Sequence, residues 1–339
     1  MKGATHGMGN KATQQPRSFN TIRRSQTKVR AKRRMTQRIV LLAMFATVAL
    51  ILISLLVLGG FAIANAIIDK PTEPSNGDND TPPANKIEFH QITNPSASIH
   101  EGPLVLVNLT NEYLFPESAK KDLVRIHDHI VKADDGRFPY KLVQQNYKLQ
   151  ISAVDALNAM MLKNYEVTGD VIIVTDAYRS YSDQEGKSTP AGFSDHHTGY
   201  CFPIRYASDN SHLEADHWIY ENCHKYGFVV RYPAGKESWT GIDDYTYCLR
   251  YVGIPHATYM AQNDLCMEEY LDLLRDKYNS STNRLSIAAA DGISYEVYYV
   301  PASNEELTTL DVPSNYTYTI SGDNRSGFIV TVTMTAPAA

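Results

Sequence analysis

Acidic residues are missing from the first 38 positions of this 339-residue chain, which hold 11 lysines and arginines. No residue of either charge occurs between Ile39 and Ile68. All 37 acids therefore face only 21 bases in the remainder, so the two parts of the chain meet different surroundings. Cysteine is scarce: four in this length are too few for a disulfide scaffold, and the absence of any CxxC pair excludes a zinc ribbon or a thioredoxin-like redox motif. Aromatic side chains are nearly absent from the basic segment, which offers only Phe19 beside KVRAKRR (28–34). Charge without stacking platforms argues against a nucleic-acid arm, and no nucleic-acid partner is expected. Internal repeats are lacking too. A composition of 43% hydrophobic and 20% charged residues excludes wholesale disorder.

The uncharged run 39–68 reads as one transmembrane helix, roughly 45 Å long at 1.5 Å per residue against a hydrocarbon core of about 30 Å. Its basic flank precedes it and the first acid is Asp69, which places the tail 1–38 in the cytoplasm and everything after residue 68 outside the membrane. A cleaved signal peptide is the competing reading, because Ala62-Ile63-Ala64 resembles a cleavage site, but the apolar run exceeds the usual h-region. Residues 69–100, rich in Pro, Asn, Asp and Ser, have the composition of a solvated, disordered linker.

From Pro103 the pattern turns globular. LVLVN (104–108) predicts a short strand, and the spacing of Leu123, Ile126 and Ile130 predicts a helix. A second helix, capped by Ser152, should bury Val154, Leu157 and Met161, and VIIVT (171–175) should form a buried strand. A third helix is expected over 212–226, stopping at Gly227, and a fourth carries Met267, Tyr270, Leu271 and Leu274. Beyond residue 280 the period becomes two: Tyr295, Val297 and Tyr299 alternate, as do Phe328, Val330, Val332 and Met334. The expected class is α+β, with a mixed helix and antiparallel-sheet domain over 101–278 and a small antiparallel β module over 283–339.

Three stretches carry a resemblance. They are Ala177-Tyr178-Arg179-Ser180-Tyr181 with Gln184, then Gly192-Phe193-Ser194-Asp195-His196-His197-Thr198-Gly199, then WIYENCHKYGFVVRYPAGKESWTGIDDYTYCLRYVG (218–253). In this order they resemble the VanY-type D,D-carboxypeptidases, zinc peptidases that remove the terminal D-alanine of peptidoglycan stem peptides. The resemblance implies a zinc D,D-peptidase-like domain, with Arg179 and Ser194 as substrate-binding residues and His196 as the first metal ligand. It also implies an aspartate seven residues later, where this chain has Pro203, and a second histidine where it has Cys248. The general-base glutamate position is Tyr245, a phenol of unperturbed pKa about 10.

Cys201 lies two residues before Pro203, on the same face of any strand there. Three states stay open for Cys201 and Cys248: zinc ligation with His196, a disulfide, or two buried thiols. Cys223 and Cys266 are expected as core residues on helices. The resulting expectation is a single-pass, extracytoplasmic VanY-like domain that binds or acts on D-Ala-D-Ala stem peptides and is impaired in catalysis. Its partners are wall peptides or cell-wall proteins, and no cofactor is expected unless the metal site functions, in which case it is zinc. The alternative is an active zinc D-alanyl-D-alanine carboxypeptidase.

Overall fold

The computed structural model describes residues 87–94, 99–243, 245–303 and 308–335. The basic tail 1–38, the span 39–68 and most of the linker lie outside the described residues. Among the described residues no helix is long and apolar enough to cross a membrane.

Strands β1 (Phe89–Asn94), β2 (Leu123–Arg125), β3 (Tyr140–Leu142) and β4 (Lys148–Gln150) precede helix α1 (Ile151–Thr168). Then come β5 (Ile172–Val174), the short α2 (Tyr181–Gln184), β6 (Cys201–Tyr206), α3 (Trp218–Asn222), β7 (Phe228–Val230), α4 (Glu237–Thr240) and β8 (Cys248–Tyr251). Helices α5 (Ile254–Gln262) and α6 (Met267–Lys277) lead into β9 (Leu285–Ala288), β10 (Ser294–Pro301), β11 (Thr308–Pro313), β12 (Tyr318–Gly322) and β13 (Gly327–Thr333).

The central sheet has the order β3-β5-β6-β8-β7, with β3 and β5 parallel and the other neighbours antiparallel. Strand alternation divides its two faces. Phe202 and Ile204 of β6 and Leu249 of β8 enter the core built on Val154, Leu157 and Met161 of α1. Cys201, Pro203, Cys248 and Arg250 consequently point to the opposite face. That face carries the candidate site.

Several local expectations are corrected. α1 begins at Ile151, with Gln150 as N-cap and no side-chain cap bond, so Ser152 is not the cap. The first helical N–H is instead taken by the backbone carbonyl of Asp122 at 2.8 Å, while the Gln150 amide donates to the carbonyls of Ala119 and Thr198. The helical spacing of Leu123, Ile126 and Ile130 yields strand β2 and a 3-10 turn over Ile126–His129. Pairing of β2 with β4 and the bond from Ile126 N to Tyr147 O take the backbone groups a helix needs.

LVLVN forms no strand: Leu104 lies in a turn, and Asn108 makes only an isolated bridge with Asn111. Leu104 and Leu106 face one hydrophobic cluster, Val105 and Val107 another. Its carbonyls are satisfied largely by side chains: Arg250 donates to Pro103 O and Val105 O, Arg231 to Val107 O, and Asn324 to Leu106 O.

The expected linker over 69–100 is corrected at its C-terminal end, where β1 pairs antiparallel with β11 from Phe89↔Pro313 to Asn94↔Thr308. The C-terminal strands form a sheet β12-β13-β10-β9, as the alternation predicts, but they are not a separate module. Val297, Tyr299 and Ile329 share one core with Leu104, Leu106, Met260, Tyr270 and Leu274. His256 of α5 also links Tyr270 of α6 (2.7 Å) to Thr331 of β13 (3.1 Å).

Candidate functional site

β5 releases the chain at Thr175 into the segment that holds Arg179. The Arg179 Nε and Nη2 donate to the Asp176 carboxylate at 3.1 and 2.5 Å, and Nη1 donates to Gln184 Oε1 at 2.7 Å. Gln184 is itself fixed by its bond to Thr189 O. Burial pushes the Asp176 carboxyl up, but the Arg179 hydrogen bonds and nearby positive charge outweigh it, and the net direction is down. Arg179 thus holds the structural carboxylate and also lines an open polar cavity of about 510 Å³ with Tyr147, Lys148, Tyr178, Asp183 and Lys187. Ser194 is buried and does not line that cavity.

The turn after Ser194 runs over Asp195–Thr198 and closes at Gly199, whose φ is +73°. The left-handed backbone conformation favours glycine there; a Cβ would also press on Leu123 Cδ2 at 2.7 Å, a contact that the flexible end of that side chain can relieve. The turn aims two adjacent histidines at the chain leaving β5. His197 accepts from Gly192 N on Nε2, so its Nδ1 donates to Arg179 O at 2.8 Å; it is a packing residue. His196 Nδ1 lies 2.7 Å from Ala177 O and must donate to that carbonyl, which leaves Nε2 as a bare lone pair. Nε2 is buried without a partner, and burial lowers the His196 pKa to about 4.

That lone pair faces the two cysteines. Cys201 Sγ and Cys248 Sγ are 2.7 Å apart, and all three potential donor atoms lie within 4.8 Å of one another. Burial pushes the Cys201 thiol well up, assisted by its contact with Cys248. Tyr245 packs 4.4 Å from Tyr247 and 5.7 Å from Tyr232, ring to ring. Burial, then the neighbouring Cys248 and Cys201, raise its phenol further. A neutral phenol at that position cannot accept a proton from water near neutral pH.

Beneath the turn lies a charge network that motif reading missed. Asp195 bonds Arg250 and, at 3.2 Å, Arg231; Arg231 in turn bonds Glu268 at 2.8 and 3.1 Å. All four side chains are buried. The only sequence signal was that Asp195, Arg231 and Arg250 all fall inside the motif stretches.

The donor set discriminates between two kinds of zinc centre. The set implied by resemblance, two imidazoles and a carboxylate with a glutamate base, does not fit: Pro203 offers no oxygen donor on its side chain and Tyr245 no carboxylate. His196, Cys201 and Cys248 do fit a thiolate-rich set, because an orphaned imidazole nitrogen meets two sulfurs. Asp243, the nearest described acid before Tyr245, is exposed.

Comparison with known proteins places the chain in a family. The family model described as VanY, D-alanyl-D-alanine carboxypeptidase, matches residues 185–254. A D-alanyl-D-alanine carboxypeptidase of Enterococcus faecium is 32% identical over 250 residues, 69% of this chain and 76% of that protein. One from Enterococcus faecalis (strain ATCC 700802 / V583) is 38% identical over 84 residues, 24% of this chain and 31% of the relative. Among solved structures, the vancomycin-resistance D,D-dipeptidase VanXYg in complex with a D-Ala-D-Ala phosphinate analog superposes with a TM-score of 0.61. It is 26% identical, over 73% of this chain and 99% of that one.

Proposed function

Since the chain belongs to the VanY-type D-alanyl-D-alanine carboxypeptidase family, we propose that its folded part binds the D-Ala-D-Ala end of peptidoglycan stem peptides with strongly reduced hydrolysis. The observation that carries this reading is Tyr245 at the base position, with burial driving its phenol away from the ionised form. A general base alone contributes about 10²–10⁴-fold, and the missing carboxylate ligand compounds the loss. Arg179 remains oriented by Asp176 and Gln184 at the edge of an open polar cavity, where a guanidinium can pair with a peptide carboxylate.

The proposal extends to location. An anchor at 39–68 with a basic cytoplasmic flank would hold this domain outside the membrane, where wall peptides are. Protease shaving of intact cells should then remove the folded part and spare residues 1–38; a protected folded part would reverse the orientation.

The active-enzyme alternative is favoured by one feature, the bare His196 lone pair beside two thiols, since two cysteines and a histidine can hold zinc with an open position. A single assay separates the readings. The zinc-supplied full-length chain should bind an acyl-D-Ala-D-Ala peptide without releasing D-alanine, and Arg179→Ala should weaken binding at least about tenfold. Release of D-alanine that disappears in His196→Ala would establish the enzyme instead.

A further inference from the structure

The cluster of His196, Cys201 and Cys248 has a donor chemistry that stem-peptide binding does not use. Three observations meet there. His196 Nε2 is buried, unpartnered and near both sulfurs. The β6–β8 register pairs Cys201 with Arg250 and Pro203 with Cys248, which sets the two cysteines diagonally on one face of adjacent strands. Both cysteines are fully buried, so two neighbouring sulfurs are shielded from bulk solvent and aligned with one imidazole.

We propose that this cluster is a soft metal site under thiol control. In the reduced state Cys201, Cys248 and His196 Nε2 take one thiophilic d¹⁰ cation, Zn²⁺ or Cu⁺. In the oxidised state the two sulfurs bond to each other, and only the imidazole is left as a donor. Two thiolates and an imidazole match soft and borderline cations in a way the family's carboxylate and imidazole set does not. On metal binding the two thiols lose their protons to solvent.

Oxidation balances by exchange with a small-molecule disulfide. Because both cysteines are buried, the exchange proceeds through local opening of β6 and β8: one cysteine thiolate, exposed in the opened form, attacks a sulfur of the reagent, forming a mixed disulfide and releasing the first small thiol. The second cysteine then displaces the other, so two electrons pass from the pair to the reagent and both cysteine protons end on the released thiols. The geometric change is small, from about 2.0 Å between bonded sulfurs to roughly 3.7 Å between sulfurs sharing a tetrahedral zinc with 2.3 Å bonds. None of this depends on the stem-peptide reading, and its test contains no peptide.

The full-length chain, reduced with a non-thiol reductant and titrated with Co²⁺, is expected to develop thiolate-to-cobalt charge-transfer absorption that Zn²⁺ abolishes. Cys201→Ser and Cys248→Ser should each remove about half of that band, as each cysteine supplies one thiolate, while Cys223→Ser should leave it unchanged. After treatment of the unmodified chain with oxidised glutathione, metal affinity should fall more than about tenfold. Alkylation in denaturant should then label two of the four cysteines. Cobalt binding without the charge-transfer band, no cobalt binding, equal binding before and after oxidation, or four alkylated cysteines after oxidation would each overturn the proposal. The reduced and oxidised comparison uses the unmodified sequence, so a misfolded variant does not decide it.

Discussion

Arg231 and Arg250 are fully buried, and their compensation comes from Asp195, Glu268 and a row of backbone carbonyls. Removing one carboxylate leaves a guanidinium dehydrated without its counter-charge. Glu268→Ala should therefore lower the unfolding free energy by roughly 3–5 kcal/mol in urea titrations. Glu117→Ala, which breaks only the exposed pair with Lys120, should produce no measurable change.

A second residue-scale effect concerns acid. Burial lowers the pKa of His256 to about 3, below the ordinary value of about 6.5. Between these values the unfolded chain binds a proton that the folded one refuses, so stability is lost as pH falls through this window. Comparing urea unfolding at about pH 7 and about pH 5, the protein should lose more stability than its His256→Gln variant does. Equal losses would show that His256 contributes nothing to acid sensitivity.

The site was legible at this scale only where identity and order suffice. His196 and Cys248 fall in the motif stretches and Cys201 lies two residues before Pro203 on the same strand face, and the structure brings their donor atoms within 4.8 Å. The Asp195–Arg231–Arg250–Glu268 network could not be read in this way, because its members come from a turn, the residue just after β7, strand β8 and helix α6. Their meeting depends on tertiary packing that local spacing does not encode.

At the scale of elements, local period succeeded where an element satisfies its own backbone. α1 buries Val154, Leu157 and Met161, and the period of two sorts Tyr295, Val297 and Tyr299 into one cluster and Val330, Val332 and Met334 into another, although β13 is buried on both faces. The helix expected over 212–226 is shorter, Trp218–Asn222 followed by a 3-10 turn that Gly227 ends in the left-handed conformation. Local period failed where distant groups take the backbone bonds, as in the segment 104–108, with its arginine and asparagine partners, and in β1, whose partner strand lies more than 200 residues away. Deleting residues 87–94 removes the partner of β11 and uncovers Leu310 and Val312, which are buried in the intact protein. The shortened chain should be less stable and self-associate through the exposed strand edge, detectable by light scattering. An unchanged monomer would mean that β1 contributes only its own ordering.

For the whole molecule, the shared core decides what can be cut. Leu104, Leu106, Tyr270 and Leu274 pack with Val297, Tyr299 and Ile329, and Ser321 and Asn324 complete hydrogen bonds of the 104–106 backbone. A chain ending after Tyr278 loses both, so it should accumulate in the insoluble fraction on expression. A soluble truncated protein with native-like circular dichroism would show that the peptidase-like half is self-sufficient.

The β1–β11 ladder has a mechanical consequence as well. Six paired residues fasten the segment just after Ile87 to a strand near the far end of the chain. Tension applied upstream is borne first by this clasp, so the strands and turns that follow it in the chain keep their shape until the clasp yields.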